Sequence, residues 1–383
     1  MSSWVERSFC DLIVRPPSAF SALARGGSEP DHGGRPDFHW RAGGGGLSGL
    51  FELRAINSQQ EVRTDGGDST RTPETRSILR TTMREAPVVF IIFNRVECTR
   101  QVWARICEAR PRTLLLIADG PRRDRSADAE RCAEVRRLVE TVDWPCDVRR
   151  NYAETNLGAA RRIASGLDWA FALVEEAIIL EDDCLPDPTF FPFCAELLER
   201  YRDHAGIAQI AGCSFQPQPA REFPSYFFSR YTHGWGWATW RRAWRLYDHE
   251  MKVWRTEREG KWLSAMIAHP DERAVWARCF DETLTGQVDA WDYRWTLAVW
   301  RRGMQSILPY RNLISNIGFG ADATHTRRAS PWAALAVSAM PFPLVHPDSL
   351  ACDAAADEVT SRLVFRPPSL ATRVGRRLRA LFR

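Results

Sequence analysis

The stretch that decides the fold is AIILEDDC at residues 177–184. Its four apolar residues include two β-branched isoleucines and are typical of a short strand buried in a parallel sheet. Three carboxylates follow directly, at the edge where open α/β sheets bind their ligands. Adjacent acids repel each other unless a cation neutralises them. The stretch therefore predicts a buried strand that delivers an acidic site to one edge of a sheet.

Similar apolar runs occur on both sides of this stretch. They lie at residues 87–93 (PVVFIIF), 113–118 (TLLLIA) and 207–211 (IAQIA). Helical patterns separate them, at about 96–110, 126–142, 158–174 and 188–202. The alternation predicts an α/β fold, a doubly wound and mostly parallel sheet with helices on both faces. Runs at 225–230 and 303–310 predict strands of a mixed C-terminal extension.

The remaining segments differ from this α/β region. Residues 1–82 contain glycine-rich and polar runs with weak periodicity, so we expect a low-complexity, disordered extension. We expect the folded domain to begin at Met83 and to extend over residues 83–326. A loop-rich segment follows at 327–368, and residues 369–383 have the pattern of a short basic amphipathic helix.

Composition excludes several classes of protein. Of the 383 residues, 44% are hydrophobic and 26% are charged, which is typical of globular domains. The 52 basic and 48 acidic side chains balance too evenly to indicate nucleic-acid binding. No apolar run approaches the ~18 residues of a membrane span, and the N-terminus lacks a signal-peptide pattern. The cysteines lack metal-ligand spacing, which predicts free thiols in a cytoplasmic protein.

Polar side chains follow three of the predicted strands. Arg95 follows the first, Asp119 the second, and Glu181, Asp182 and Asp183 a later one. Because the carboxyl ends of parallel strands meet at one edge, we expect a shared crevice. Carboxylate oxygens suit Mg²⁺ or Mn²⁺, and Asp183 is the first choice as ligand. The alternatives are a solvated loop or helix cap for the acids, a surface ion pair for Arg95 and a turn for Asp119.

Five motifs together resemble the GT-A class of nucleotide-sugar glycosyltransferases. They are FNR at 93–95, IADG at 117–120, EDDCLPDPTFF at 181–191, GWGWATW at 234–240 and WDYRW at 291–295. Within that class the order and spacing are similar to the N-acetylglucosaminyltransferase I branch and related family-2-like bacterial enzymes. The resemblance covers residues 86–326. It implies a GT-A-type fold and metal-dependent, inverting transfer of a sugar from a nucleoside-diphosphate sugar, a UDP-sugar in particular, to a hydroxyl acceptor.

The resemblance also implies a role for each matching residue. It places Asp183 on the Mn²⁺ or Mg²⁺ that bridges the donor phosphates, with Glu181 and Asp182 toward the ribose and the outer shell of the metal. It places Arg95 near the ribose and phosphates, where a guanidinium can fork onto phosphate oxygens. It has Asp119 accept a hydrogen bond from the uracil ring.

Asp292 has two interpretations. The helical pattern over residues 289–302 makes Asp289 the N-cap and Asp292 the N3 residue of a capping box. The resemblance instead makes Asp292 the general base that removes the acceptor hydroxyl proton. Trp291 and Trp295 flank this acid, and apolar walls raise a carboxyl pKa toward useful basicity. We favour catalysis for Asp292 and capping for Asp289.

Other motif residues are more ambiguous. Trp235 and Trp237 have glycine neighbours, so they either stack on the donor sugar or acceptor or pack against the sheet. His325 lies where some GT-A enzymes supply a metal or phosphate contact, and is otherwise a solvated loop residue. The chain departs from the branch at Cys184, where the branch has leucine, and at Tyr293, where it has an acid. The second departure leaves the sugar and the acceptor undetermined.

Two other functions compete with sugar transfer. A sugar nucleotidyltransferase shares the fold and metal, but it needs a glycine-rich basic loop after the first strand, where this chain has FNRVECTR. A non-catalytic nucleotide-sugar-binding or surface protein on a transferase fold is the other, and the acids at 181–183 and 292 count against it. The expected partners are a nucleoside-diphosphate sugar and a glycan or glycolipid acceptor, without nucleic acid.

The C-terminal tail generates a prediction about membranes. Leu370, Val374, Leu378 and Leu381 recur at helical spacing among arginines. Such a segment can lie on an anionic membrane surface, end in solvent or dock on the domain, and we favour peripheral contact with the inner face of the membrane. Deleting residues 369–383 should release the protein from anionic vesicles and leave soluble-donor turnover intact, because each basic residue near such a surface contributes ~1 kcal/mol. Co-sedimentation measures the binding. Binding that survives the deletion, or that survives high salt, contradicts the prediction.

Overall fold

The structure is a computed structural model, and it describes residues 85–217, 224–319 and 335–366. The extension predicted for residues 1–82 and the amphipathic helix predicted for 369–383 lie outside the described residues. Within the described ranges, no helix is long and apolar enough to cross a bilayer. The cysteines there are all free thiols, in agreement with the sequence-based expectation.

The described strands alternate with helices for most of the chain. The strands are β1 (Val88–Ile92), β2 (Thr113–Ala118), β3 (Asp147–Tyr152), β4 (Glu176–Glu181), β5 (Cys184–Pro186), β6 (Ile207–Ala211), β7 (Tyr226–Ser229), β8 (Trp237–Trp240), β9 (Gln305–Pro309) and β10 (Ile314–Asn316). The first four helices of the described chain are α1 (Val96–Ala109), α2 (Ser126–Leu138), α3 (Ala159–Leu173) and α4 (Phe190–Arg200). Then come α5 (Arg241–Trp244), α6 (Lys252–Glu257), α7 (Trp262–Met266), α8 (Pro270–Leu284), α9 (Asp292–Arg301) and α10 (Ala354–Thr360), which a π-helical turn (Ser361–Phe365) extends.

Among the described residues, eight strands form one mixed, mostly parallel sheet in the order β3–β2–β1–β4–β8–β6–β9–β7. The strands β1 to β4, β6 and β9 run in one direction, and β7 and β8 oppose them. A second, two-stranded sheet pairs β5 with β10. This architecture confirms the predicted α/β fold with a mixed C-terminal half.

The sheet reverses its strand order between β1 and β4. From β1 the chain proceeds outward through α1 to β2 and through α2 to β3, and α3 then returns it to β4 on the other side of β1. Right-handed crossovers therefore put α1 and α2 on one face and α3 on the opposite face. The helices diverge at this point and leave a crevice beyond the carboxyl ends of β1 and β4, which is where doubly wound sheets bind ligands.

The register across this crevice fixes which side chains meet there. Every residue of β1 is buried, and Ile91 of β1 pairs with Glu181 of β4. The two strands therefore end side by side, and the chain leaves the sheet at FNR on one strand and at EDD on its neighbour. A slip of one residue would turn each acid to the opposite face of the sheet, because side chains alternate along a strand.

Two strands of the large sheet escaped the sequence-based prediction. β3 is an edge strand of sequence DVRRNY with several exposed residues, so it lacks the apolar run of a buried strand. β8 has the sequence WATW and is fully buried. It lies antiparallel between β4 and β6, whereas the sequence had suggested either a sugar platform or a loop packed against the sheet.

The turn into β8 generates a stability prediction. Gly236 has a φ of +59°, and a Cβ there would lie 2.5 Å from Cδ1 of Ile314. Gly236→Ala should lower the free energy of unfolding by about 2–4 kcal/mol, because backbone strain adds to overpacking. Gly286→Ala is the matched control. Its φ is +72° with no described atom within 4 Å of the new Cβ, so only strain of about 1 kcal/mol is expected. Equal losses in urea titrations would contradict the packing argument.

Candidate functional site

One pocket lies at the point where the strand order reverses. It opens beyond the ends of β1 and β4, and its space, open mouth included, is about 1070 Å³. The predicted site residues in its lining are Arg95, Asp119, Glu181, Asp182, Asp183, Trp235 and Asp292. Residues from both halves of the chain thus meet in one cavity, as expected for a binding site on a doubly wound sheet.

Arg95 bridges two of the acids. Its Nη2 lies 2.6 Å from Oδ1 of Asp182 and its Nη1 lies 2.6 Å from Oδ2 of Asp183. The second oxygen of Asp182 accepts a hydrogen bond from the backbone N–H of Phe93 at 3.2 Å. Burial disfavours the charged guanidinium, but Asp182 and Asp183 outweigh this effect and raise the pKa of Arg95 well above its ordinary value. Arg95 therefore keeps its positive charge in the pocket at all physiological pH values.

One arginine does not neutralise the whole acidic cluster. Burial and, next, the charge of Asp183 raise the pKa of Glu181 to about 8, even though Arg95 opposes the shift. The excess of negative charge and the all-oxygen donor set suit a hard divalent cation. In the described part of the chain, no group of three ligand side chains is arranged to hold a metal without help. Asp183 could therefore hold a cation only with further oxygen ligands from a bound molecule or water, as Mg²⁺ sites commonly use.

Asp119 lies in the pocket and joins two of its loops. One carboxylate oxygen accepts from the backbone N–H of Gly120 at 2.8 Å and of Leu157 at 3.0 Å, and the other accepts from Nδ2 of Asn156 at 2.9 Å. Burial raises the pKa of Asp119. The carboxylate thus ties the end of β2 to the loop before α3. Its contact with a uracil ring stays a prediction.

Arg162 is a pocket residue that the sequence analysis missed. It lies in the first turn of α3, is 4% exposed, and its Nη2 donates to Asn151 at 2.5 and 2.6 Å. Its Nε has no hydrogen-bond partner among the described residues. The guanidinium thus puts a positive charge in the pocket lining, which favours an anionic occupant. Since β3 was not recognised, NLGAARR at 156–162 looked like an ordinary helix start and gave no signal.

Arg122 is a second missed arginine in the lining. Its Nε donates to Asp128 at 2.6 Å, and its guanidinium lies over the Phe93 ring, 5.2 Å from the centroid. Buried Asn94 donates to the same carboxylate at 2.8 Å. The residues just after β1 are therefore held by a network of polar contacts on one flank of the pocket.

The two acids near α9 have different positions from those predicted. The helix begins at Asp292, with Trp291 as its N-cap, so the prediction that Asp289 caps this helix is wrong. Asp289 instead accepts a hydrogen bond from the backbone N–H of Ala160 at 3.3 Å, at the start of α3. The cause is tertiary: the loop before α9 crosses the α3 N-terminus, and sequence spacing cannot show this. Asp292 lines the pocket, and its carboxylate accepts from the N–H of Tyr293 at 3.0 Å.

The two tryptophans of GWGW have separate surroundings. Trp235 lines the pocket and packs edge-on against Phe215 and Phe319. Trp237 is 1% exposed and stacks on Trp291, with ring centroids 5.2 Å apart. This position makes Trp237 a core residue, whereas Trp235 lies in the pocket lining. His325 lies outside the described residues.

Comparisons with known proteins give little further information. No family model and no curated protein match the chain. The matching solved structures include Mannosyltransferase PcManGT from Pyrobaculum calidifontis in complex with GDP-Man and Mn2+, at 16% identity and a TM-score of 0.31. The match covers 62% of this chain and 60% of that one, so the chain spans about three fifths of that structure.

The buried histidine before GWGW generates a pH prediction. His233 is 1% exposed, its Nδ1 donates to the carbonyl of Cys213 at 3.1 Å, and burial lowers its pKa to about 4. Below about pH 6.5 the unfolded chain binds a proton that the folded chain excludes, so stability falls as the pH falls toward 4. Between pH 7 and pH 5, the wild type should lose about 2 kcal/mol more than His233→Gln, which does not titrate. Denaturant titrations measure the difference, and parallel pH profiles would contradict it.

Proposed function

We propose that the protein is a metal-dependent glycosyltransferase that takes its sugar from a nucleoside-diphosphate sugar, a UDP-sugar in particular. One observation carries the proposal. A single pocket at the strand-order reversal brings the acids at 181–183 together with Asp292, more than 100 residues later in the chain, and adds the half-buried Arg95 and the buried Arg162. Acids for a cation, guanidinium groups for phosphate and a separate carboxylate at the wall are the parts that sugar transfer from such a donor requires.

The donor diphosphate would lie between the acids and the arginines. Asp183 is the residue that would hold Mn²⁺ or Mg²⁺, and the cation would supply charge neutralisation for the departing diphosphate. Arg162 has unused donor capacity on the α3 side of the pocket, and Arg95 lies on the β1 side. Together they would position the phosphates. Asp119, at the end of β2, would contact the base, and Trp235 would pack against the sugar.

Asp292 would act on the acceptor. Its carboxylate would remove the hydroxyl proton as the oxygen attacks the anomeric carbon, in one inverting displacement. The acid begins α9, and Trp291 before it is held by stacking on Trp237. Gly234 lies close by, since a Cβ added there would be 3.8 Å from Cβ of Asp292 and 3.3 Å from the Trp291 ring. The stacked tryptophans would thus hold the base in position, and Gly234 would leave the space beside it free of a side chain.

The nucleotidyltransferase alternative is disfavoured by the connection after β1. β1 ends at Ile92 and α1 begins at Val96, so FNR alone links them. Arg95 in this link is already engaged with Asp182 and Asp183. A triphosphate needs a longer, glycine-rich loop with free backbone N–H groups.

Asp183→Asn tests the metal side of the site. It should weaken Mn²⁺-dependent binding of the donor and transfer together, because asparagine keeps the shape but loses the charge that offsets the cation. Calorimetry with nucleotide sugars, with and without Mn²⁺, measures the binding. Release of UDP measures turnover, whereas release of pyrophosphate would favour the nucleotidyltransferase. Binding without either product would favour a non-catalytic protein.

Asp292→Asn tests the base. It should preserve donor affinity and metal dependence and lower turnover by about 10²-fold or more, the usual scale for loss of a general base. Asparagine still accepts a hydrogen bond at a helix start, so a purely structural role predicts little change. Asp353→Asn is the matched control, since Asp353 caps α10 through Ala355 and Ala356. If Asp292→Asn turns over at a near wild-type rate, another residue is the base, and Asp289 is the next acid to test.

A further inference from the structure

The acid that would hold the cation already has a cationic partner. Arg95 occupies one oxygen of Asp183 and one of Asp182, each at 2.6 Å. A divalent cation that approached Asp183 alone would meet a guanidinium within hydrogen-bond distance of the oxygen it needs. Like charges at this range repel strongly in a desolvated site.

The backbone around Gly318 encloses this ion pair. The N–H of Ile317 donates to the carbonyl of Asp183 at 2.9 Å, and a side chain at Gly318 would collide with both Asp183 and Arg95. The guanidinium therefore has little room to leave the acids on that side. The pocket is the space available for its displacement, and Arg95 lines it.

An independent feature of the same pocket indicates an anionic ligand. Arg162 is 4% exposed, and its Nε has no hydrogen-bond partner among the described residues. Burial lowers the pKa of Arg162, and the negative charge of Asp119 partly offsets this shift. Arg162 thus keeps a cationic group in the pocket lining while Arg95 is held by its acids.

We propose that Arg95 is a resident counter-cation of Asp182 and Asp183, and that it makes binding of the divalent cation conditional on a diphosphate. The inference rests on the proposed function and adds an order of events to it. In the absence of nucleotide the guanidinium blocks the acids. A diphosphate offers it an alternative bidentate partner, and its movement onto the phosphates frees Asp183 for the cation. Arg95 is a positioning residue in this scheme.

Metal binding in the absence of nucleotide tests the proposal. Mn²⁺ is titrated into the full chain by calorimetry and by electron paramagnetic resonance, with no donor present. Arg95→Gln should bind Mn²⁺ about tenfold more tightly than the wild type, because the blocking charge is gone while a hydrogen-bond donor remains. The factor by which UDP improves Mn²⁺ affinity should shrink correspondingly, since coupling between two ligands is reciprocal. Unchanged or weaker Mn²⁺ binding by Arg95→Gln overturns the proposal.

Arg202→Gln is the matched control. Arg202 also bridges two acids, Glu176 at 2.8 Å and Glu199 at 2.6 Å, but at the opposite end of β4. Its loss should leave Mn²⁺ affinity unchanged. If it tightens Mn²⁺ binding as much as Arg95→Gln does, the effect is unspecific attraction to exposed carboxylates and the proposal fails.

A second variant covers the case in which Arg95→Gln does not fold. A lysine ammonium is a point charge that cannot fork onto both acids. Arg95→Lys should therefore tighten nucleotide-free Mn²⁺ binding by about threefold, and no tightening contradicts the proposal. The failure of the proposed function has a different signature. If the wild type binds neither UDP nor GDP in the presence of Mn²⁺, the assignment as a transferase fails, whereas the nucleotide-free titrations still report on Arg95.

Discussion

The pairing of one guanidinium with two carboxylates at the ends of β1 and β4 is the interaction on which the site depends. Asp182 is 2% exposed, and an uncompensated charge at such a depth costs several kcal/mol. Arg95 supplies the compensation, and the Phe93 N–H supplies a further hydrogen bond to Asp182. Both donors come from the three residues after β1. The acids of β4 therefore require β1 beside them in this register, and the site and the centre of the sheet form as one unit.

Aromatic packing holds the opposite wall of the pocket. Trp237 of β8 stacks on Trp291 and contacts Trp295 on α9, and Trp295 also donates its indole N–H to Gln209 of β6 at 2.5 Å. Large rings with few rotatable bonds lose little entropy when they are buried, and the ring N–H adds a directional contact. The start of α9 is thereby anchored to two central strands. The density of tryptophan in this half of the chain is explained mainly by this packing, with Trp235 as the ring left at the pocket.

The fold was predictable because its central strands are unambiguous. β1, β2, β4 and β6 are short apolar runs with no competing helical period, and the acids after β4 mark the sheet edge. Edge strand β3 could not be recognised, because a run of partly exposed polar residues is compatible with a strand, a helix or a loop. Because β3 was missed, the loop that follows it could not be placed at the pocket, and Arg162 was not recognised as a pocket residue. Asp289 shows the other limit: its hydrogen bond to Ala160 spans 129 residues, and no local pattern encodes that contact.

Three helices begin at the pocket, and this arrangement adds to the side-chain charges. α1 follows Arg95, α3 follows Gly158 and α9 begins at Asp292, and all three residues line the cavity. Each helix start carries about half a positive charge, so the pocket opposes the acids after β4 with helix ends as well as with arginines. A site in which positive and negative charges lie this close together favours a ligand that also carries charges of both signs. A divalent cation with a diphosphate adds little net charge, whereas either component alone leaves a large charge in a poorly solvated space. Under the proposed function, the electrostatics of the pocket would therefore favour the pair over its parts.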